Sequence, residues 1–364
     1  MHDETITFKN QIYQGAGIDH RVESEKSKTW LHEELFAGDS AVVFEGKDIV
    51  HVKRYTHRNQ WSSLSCVANG GAITLEAAEL AETGNVVQFS HKDIYIRRAN
   101  RPSGGMAMYD VLALIRSGAA TESQVPSIGL NEVEINRDYL VTPSIIQSRN
   151  KYGAAATFEI KSPTIDKVAQ VISMGIPVIL FWYFDGPEWW RFIPTVENSH
   201  LDLYGKDTLR HQAIGVDYGI YENERGIWVQ DSAGVGTGLG EYRDLRFVPE
   251  SFFIARNYAA GYAIDKKNLD YVQDEKPRFN FARTLTTNMT GVDVKALQKI
   301  LVYEGCMKIL HPTEFFGGMT RDGVKKLQEK YASKILYPVG LKSATGYVGT
   351  STLKWLKENY SITK

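Results

Sequence analysis

The chain has 364 residues, 43% of them hydrophobic and 23% charged, with a formal net charge of −1. That length holds one large domain and a small one, and the near-neutral charge gives no bulk attraction to nucleic acid or to an anionic membrane. No apolar run approaches the roughly 18 residues of a spanning helix, and the polar start MHDETITFKNQ lacks the basic and apolar regions of a signal peptide. The only two cysteines, Cys66 and Cys306, lie far apart and read as free thiols of a protein made in a reducing compartment. Where it finally acts is left open.

Small and apolar positions at helical spacing predict a helix over 66–81, ending before Thr83-Gly84. Gly70 and Gly71 inside it cost roughly 1 kcal/mol each in propensity, so close packing must compensate. The cluster Arg97-Arg98…Arg101 reads as a solvated face. A second helix is expected over Met106–Ser117, stopped by Gly118, and a third over Ile165–Met174 before Gly175. The run 177–184, PVILFWYF, fits a buried strand. Further strands are expected at 212–222, 226–231 and 242–248, with Phe252–Tyr258 after them. Helices first and antiparallel strands later make an α+β fold with a cleft between the halves.

Residues 265–287 are polar and without period, and read as a linker. Beyond it a small helical module carries two apolar stripes, Val294, Leu297, Ile300 and Leu301, then Val324, Leu327 and Tyr331. The expected organisation is a domain over 1–264, a linker over 265–287 and a helical domain over 288–364.

A thiol at the start of a helix meets partial positive charge on unpaired N–H groups, which favours its nucleophilic form. Cys66, following the small polar turn 62–65, stands at such a place. Gln60, six residues upstream, is suited to aim its amide at an oxyanion. A thiol nucleophile needs a base, and that base an orienting acceptor. His211 stands out among nine histidines, 145 residues after Cys66 (211 − 66) and before an apolar strand. Asp231, twenty residues on, ends a neighbouring strand and is placed to fix the imidazole tautomer. The glycines at 234, 236, 238 and 240 read as a tight loop, since strand rather than helix follows. His51 and His57 lack a partner with ligand spacing, so no metal and no cofactor are expected. Cys306 reads as packing.

At these residues the chain resembles the papain-like cysteine peptidases. The family's block that opens on a glutamine and carries the nucleophilic cysteine six residues later corresponds to Gln60 through Asn69, and its C-x-G-G segment to Pro102-Ser103-Gly104-Gly105. Its H-A-V-x-x-V-G-Y block corresponds to His211 through Tyr218, and its N-S-W-G-x-G-W-G-x-x-G-Y block to Asp231 through Tyr242. The resemblance implies a two-lobed fold with Cys66 as nucleophile, His211 as base, Asp231 as orienter and Gln60 as oxyanion donor. It also implies extended peptide bound at Gly104 and Gly105. The departures are specific. Val67 replaces the tryptophan after the nucleophile. Ser63 replaces a half-cystine, and its partner region has no cysteine. Asp231 stands for asparagine, and Ala233 and Thr237 for two shielding tryptophans. Trp189, Trp190 and Trp228 are candidates to take over that shielding. No inhibitory propeptide of the usual type is recognisable in the first ~45 residues.

The tail has a second resemblance. Residues 291–301 (GVDVKALQKIL), Phe316-Gly317-Gly318-Met319-Thr320, 324–328 (VKKLQ) and 346–352 (GYVGTST) look like the small three-helix peptidoglycan-binding domain. Leu327 replaces the usual phenylalanine, and an insertion over 332–345 precedes the last turn. Together the resemblances imply a cysteine endopeptidase acting on a protein or on peptidoglycan stem peptides. Residues 288–361 would target it to a bacterial cell wall, with no nucleic-acid or membrane partner. A catalytically degenerate wall-binding relative and a transglutaminase-like acyltransferase are the alternatives.

Overall fold

A computed structural model describes residues 42–233, 242–264, 276–307, 312 and 314–362 in full, and the backbone alone of 5–8, 11–14 and 30–31. The chain divides into two compact units, 1–30 with 42–266, and 31–41 with 267–364.

In the larger unit, β1 (Thr5–Phe8) and β2 (Gln11–Gln14) pair as an antiparallel hairpin; β3 is the short strand Trp30–Leu31, at the division between the two units. Helix α1, Cys66–Thr83, ends at Gly84, whose left-handed conformation (φ 75°) lets its N–H bond Leu80 O. Its two internal glycines face close neighbours. A Cβ at Gly70 would come within 2.5 Å of the Gln212 side chain, and one at Gly71 within 2.6 Å of Val111. The propensity lost at these positions is exchanged for close approach of the helix backbone to its neighbours.

Helices α2 (His91–Ile96), α3 (Met108–Arg116), α4 (Glu132–Ile135) and α5 (Pro143–Lys151) complete the helical half. Strand β4 (Ala156–Ile160), helix α6 (Ile165–Ser173), strand β5 (Val178–Phe184) and the single turn α7 (Gly186–Trp189) follow. The remaining elements are β6 (Leu209–Tyr221), β7 (Glu224–Gln230), β8 (Leu245–Pro249), α8 (Glu250–Arg256) and β9 (Asn257–Ile264). The sheet order is β3-β4-β9-β5-β6-β7-β8, and the pairings from β4 to β8 are antiparallel. One core joins Cys66, Val67 and Ala68 of α1 to Ile179 and Phe181 of β5, Ile214 and Val216 of β6, and Trp228 of β7. The mixture of helices and antiparallel sheet is the α+β class expected from the sequence.

Two local expectations are corrected. Residues 252–258 are not one strand: α8 runs through Glu250–Arg256 and β9 begins at Asn257. Pro249 at the N-cap and Glu250 in the first turn start the helix, and the buried pair Arg256–Glu188 (2.7 Å) holds its last turn. The basic cluster is a solvated face only at Arg101, which is exposed. Arg98 is buried, stacks on Tyr95 with its guanidinium 3.7 Å from the ring centroid, and donates to Ser103 O at 2.7 Å and Asn136 Oδ1 at 2.9 Å. Arg97 donates to Gly118 O (2.6 Å) and Asp93 Oδ2 (3.2 Å). Carbonyl and carboxylate acceptors take the place of water for both guanidiniums. The glycine loop 234–240, with Thr237, lies outside the described residues.

The smaller unit contains α9 (Val292–Tyr303), α10 (Gly318–Lys330), α11 (Ala332–Ile335) and α12 (Thr350–Tyr360). Val294, Leu297, Ile300, Leu301, Val324 and Leu327 are buried in its core, as is Cys306, while Tyr331 packs against that core at its edge. Residues 276–287, assigned from sequence to the linker, contribute Phe281 and Leu285 to this core, and Leu285 bridges to Val348. Residues 265–275 lie outside the described residues. The repeated Leu-Gln pair has a physical explanation. Gln298 donates to Phe315 O (2.9 Å) and Thr320 Oγ1 (3.0 Å), and Gln328 to Tyr347 O (2.8 Å) and Thr352 Oγ1 (3.0 Å). Each buried amide fastens the turn that opens the next long helix. No helix among the described residues is long and apolar enough to cross a membrane.

Candidate active site

Cys66 is the first residue of α1 and fully buried, so its backbone N–H belongs to the first turn, whose donors have no intrahelical acceptor. His211 lies on β6, opposite Trp182 of β5, and its ring is enclosed by the indoles of Trp189 and Trp190 at 5.9 and 6.1 Å between centroids. Its Nε2 lies 2.7 Å from Asp231 Oδ1, and the nearby Cys66 thiol also favours its protonated form. With Nε2 taken by Asp231, Nδ1 is the ring nitrogen left for sulfur. Burial alone would lower the His211 pKa. The charge and hydrogen bond of Asp231, aided by Cys66, overturn that and push it up to about 10.

Asp231 follows β7, its own N–H held by Asp244 O at 2.7 Å. Four donors surround its carboxylate. Oδ1 accepts from His211 Nε2 and from the Ala233 N–H (2.8 Å); Oδ2 accepts from Trp189 Nε1 (2.8 Å) and Arg246 Nε (2.8 Å). Burial opposes the charge, but the His211 and Arg246 cations and these hydrogen bonds hold the carboxyl well below its usual range. Trp189 therefore covers Asp231 and His211, and Trp190 flanks His211. Trp228 does not join them; it packs with Phe192, Tyr221 and Phe247.

Gln60 is fixed by the residue after Asp231. Its N–H donates to Ser232 O (2.9 Å) and its Oε1 accepts from Ser232 Oγ (2.8 Å). Nε2 spends one N–H on Ser63 O at 2.9 Å. Ser63 does not leave a gap where the family has a half-cystine, because its hydroxyl donates to Gln60 O (2.6 Å) within the same turn.

The two glycines differ. Gly104 is exposed, and a Cβ there would fall 2.1 Å from Leu64 Cδ1, two residues before Cys66. Gly105 is buried with φ 80°, and its N–H is donated to Tyr95 Oη at 3.1 Å. That N–H is not open to a bound peptide, which departs from the expectation for this glycine. The Tyr95 hydroxyl donates on to Glu132 Oε1 (2.9 Å), and Glu132 Oε2 accepts the Leu64 N–H (2.7 Å). A hydrogen-bonded chain through Glu132 thus ties the turn before Cys66 to the glycine turn, without a disulfide.

No protein-family model and no curated protein matches the chain. Solved structures do. Xylellain, a cysteine protease from Xylella fastidiosa, superposes with a TM-score of 0.50 at 12% identity, over 69% of this chain and 96% of that one. Digestive procathepsin L2 proteinase from the larval midgut of Tenebrio molitor gives 0.50 at 16% identity, over 69% and 78%. The chain has the fold of the papain-like cysteine proteases. Within that papain-like fold, Ser232, Arg246, Tyr95 and Glu132 were not singled out from sequence. Arg246 carried one legible signal, a guanidinium among the apolar residues of 245–248, which demands a buried acceptor.

The His211–Asp231 pair links stability to pH. His211 is raised from its ordinary 6.5 to about 10, so its contribution is complete below 6.5 and lost as pH climbs through about 10. Asp231 is depressed from 3.8, so its contribution is present above 3.8 and lost only as pH falls through its lowered value. Urea unfolding at fixed pH values should show stability declining from pH 6.5 to 10, with a shallower decline in His211→Gln. Equal slopes in the two proteins would contradict the assignment.

Proposed function

We propose that this protein is a cysteine peptidase whose nucleophile is Cys66, with His211 as acid and base and Asp231 as orienter. The observation that carries the reading is the buried His211 ring, held through Nε2 by Asp231, with Cys66 at the first position of α1 within its electrostatic reach. In this reading the Cys66 thiolate attacks a peptide carbonyl, forming a C–S bond and moving the carbonyl π pair onto oxygen. The Cys66 N–H and the second Nε2 proton of Gln60 stabilise that oxyanion. Collapse breaks the C–N bond, and His211 gives its proton to the departing amine. His211 then takes a proton from water as the hydroxide oxygen attacks the acyl carbon, and the C–S bond breaks to return the thiolate. Gly104 is the exposed glycine available to extended substrate.

The proposed organisation is a peptidase domain over 1–264 and a wall-binding domain over 288–364, with residues 276–287, which supply Phe281 and Leu285 to the core of the smaller unit, belonging to that second domain rather than to the linker expected over 265–287. The twice-used buried glutamine supports a three-helix module, and the resemblance of its turns suggests peptidoglycan as ligand.

Incubation of the reduced protein with an epoxysuccinyl peptide should add one inhibitor mass to the wild type and none to Cys66→Ala, read by intact mass spectrometry. A folded wild type that gains nothing would contradict the peptidase reading. Full-length Cys66→Ala protein should co-sediment with purified peptidoglycan sacculi; protein that stays wholly in the supernatant would remove the wall-targeting assignment.

A further inference from the structure

Asp231 stands where the resembled family has asparagine, and its surroundings explain why. All four groups on its carboxylate are donors: His211 Nε2–H, Ala233 N–H, Trp189 Nε1–H and Arg246 Nε–H. An amide offers one acceptor atom and one NH2. Whichever way it turned, its NH2 would meet two donors. Arg246 is held by more than the carboxylate. It is fully buried on β8, donates Nη1 to Arg191 O (2.6 Å), and lies 5.3 and 5.7 Å from the rings of Trp189 and Trp190. Removing the carboxylate would leave the Arg246 cation buried without its anion, and removing Arg246 would leave Asp231 with His211 as its one cationic partner.

We infer that Arg246 is a positioning residue, forming with Asp231 a net-neutral buried pair that orients His211 and limits how tightly its proton is held. The inference rests on the peptidase reading. A lone buried aspartate would hold the imidazolium so strongly that proton delivery to a leaving group would be slowed. Arg246 opposes that by placing a cation on the far oxygen. The titratable group facing His211 besides Asp231 is Cys66 on α1; Tyr258 on β9 lies in the field of Cys66 and of Arg210, the residue beside His211 on β6. Behind Asp231 stands Asp244, bound by Arg54 (3.1 Å) and His57 (3.2 Å). None of these is altered in the variants below.

The probe is the second-order rate of Cys66 modification by an epoxysuccinyl peptide, followed by intact mass from pH 5 to 11.5. In that step the Cys66 S–C bond forms, an epoxide C–O bond breaks, and the alkoxide takes the His211 proton. The rate therefore falls when the imidazolium is lost. Arg246→Gln removes the cation and should move the alkaline limb upward by about one pH unit. Asp231→Asn should cut the plateau rate about 100-fold or more. The double variant D231N/R246Q removes both charges and gives the introduced amides a partner in each other, so it should recover at least about tenfold over D231N. An unmoved alkaline limb in R246Q, or a double variant no faster than D231N, would overturn the inference while leaving the peptidase reading intact. D231N reacting at the wild-type rate would overturn the inference together with the orienting role of Asp231, whereas a folded wild type that does not react at all would overturn the peptidase reading. Should R246Q fail to fold, the rescue in the double variant decides alone.

Discussion

A fully buried carboxylate with four converging donors is the constraint on which the site depends. Taking an ion out of water costs several kcal/mol, and only paired charges and satisfied lone pairs offset it. Asp231 meets that condition by recruiting His211 from β6, Trp189 from α7, Arg246 from β8 and the N–H of Ala233. Each partner is positioned by a different element, so the carboxylate fixes how the end of the sheet closes around the imidazole. The next residue, Ser232, carries the constraint to Gln60 and so to the turn before Cys66. One short segment after β7 therefore sets the histidine tautomer and the place of the amide suited to an oxyanion.

The nucleophile's side of the site is braced independently. Glu132 accepts from the Leu64 N–H and the Tyr95 hydroxyl, and Tyr95 accepts from Gly105. Arg98, stacked on Tyr95, holds the same turn through Ser103 O. This buried polar network does geometrically what a covalent staple would do, using groups whose bonds do not depend on oxidation. Its consequence is that Gly105 has its N–H engaged, and Gly104 carries the requirement for a missing side chain against Leu64.

The sequence was most readable where ordered blocks fix spacing. Gln60 and Cys66 share one segment, while His211 and Asp231 lie far along the chain, and the bonds from Asp231 to His211 and from Ser232 to Gln60 join the two regions. Their supporting shell was not readable, because its partners are set by tertiary contact: Trp189 and Asp231 are 42 residues apart, and Tyr95 and Glu132 are 37. Helix α8 was misread because Phe252 and Phe253 favour strands by local propensity, whereas Pro249, Glu250 and the Arg256–Glu188 pair decide for a helix. Arg97 and Arg98 read as surface because a charged run says nothing about how many carbonyl acceptors the fold will turn toward it. In the smaller unit the Leu-Gln repeat was legible as a pattern, but its purpose, two buried amides each fastening a helix-opening turn, emerged only from the hydrogen bonds.

The central claim is that Asp231 keeps His211 protonated beside Cys66 well above the pH at which a free imidazole loses its proton. Carbon-13 NMR of histidine-labelled protein, with His211→Gln used to assign the resonance, measures this directly. The account predicts imidazolium shifts at His211 that persist through pH 8 and titrate near 10. A His211 resonance that titrates near 6.5 in the folded wild type would contradict it.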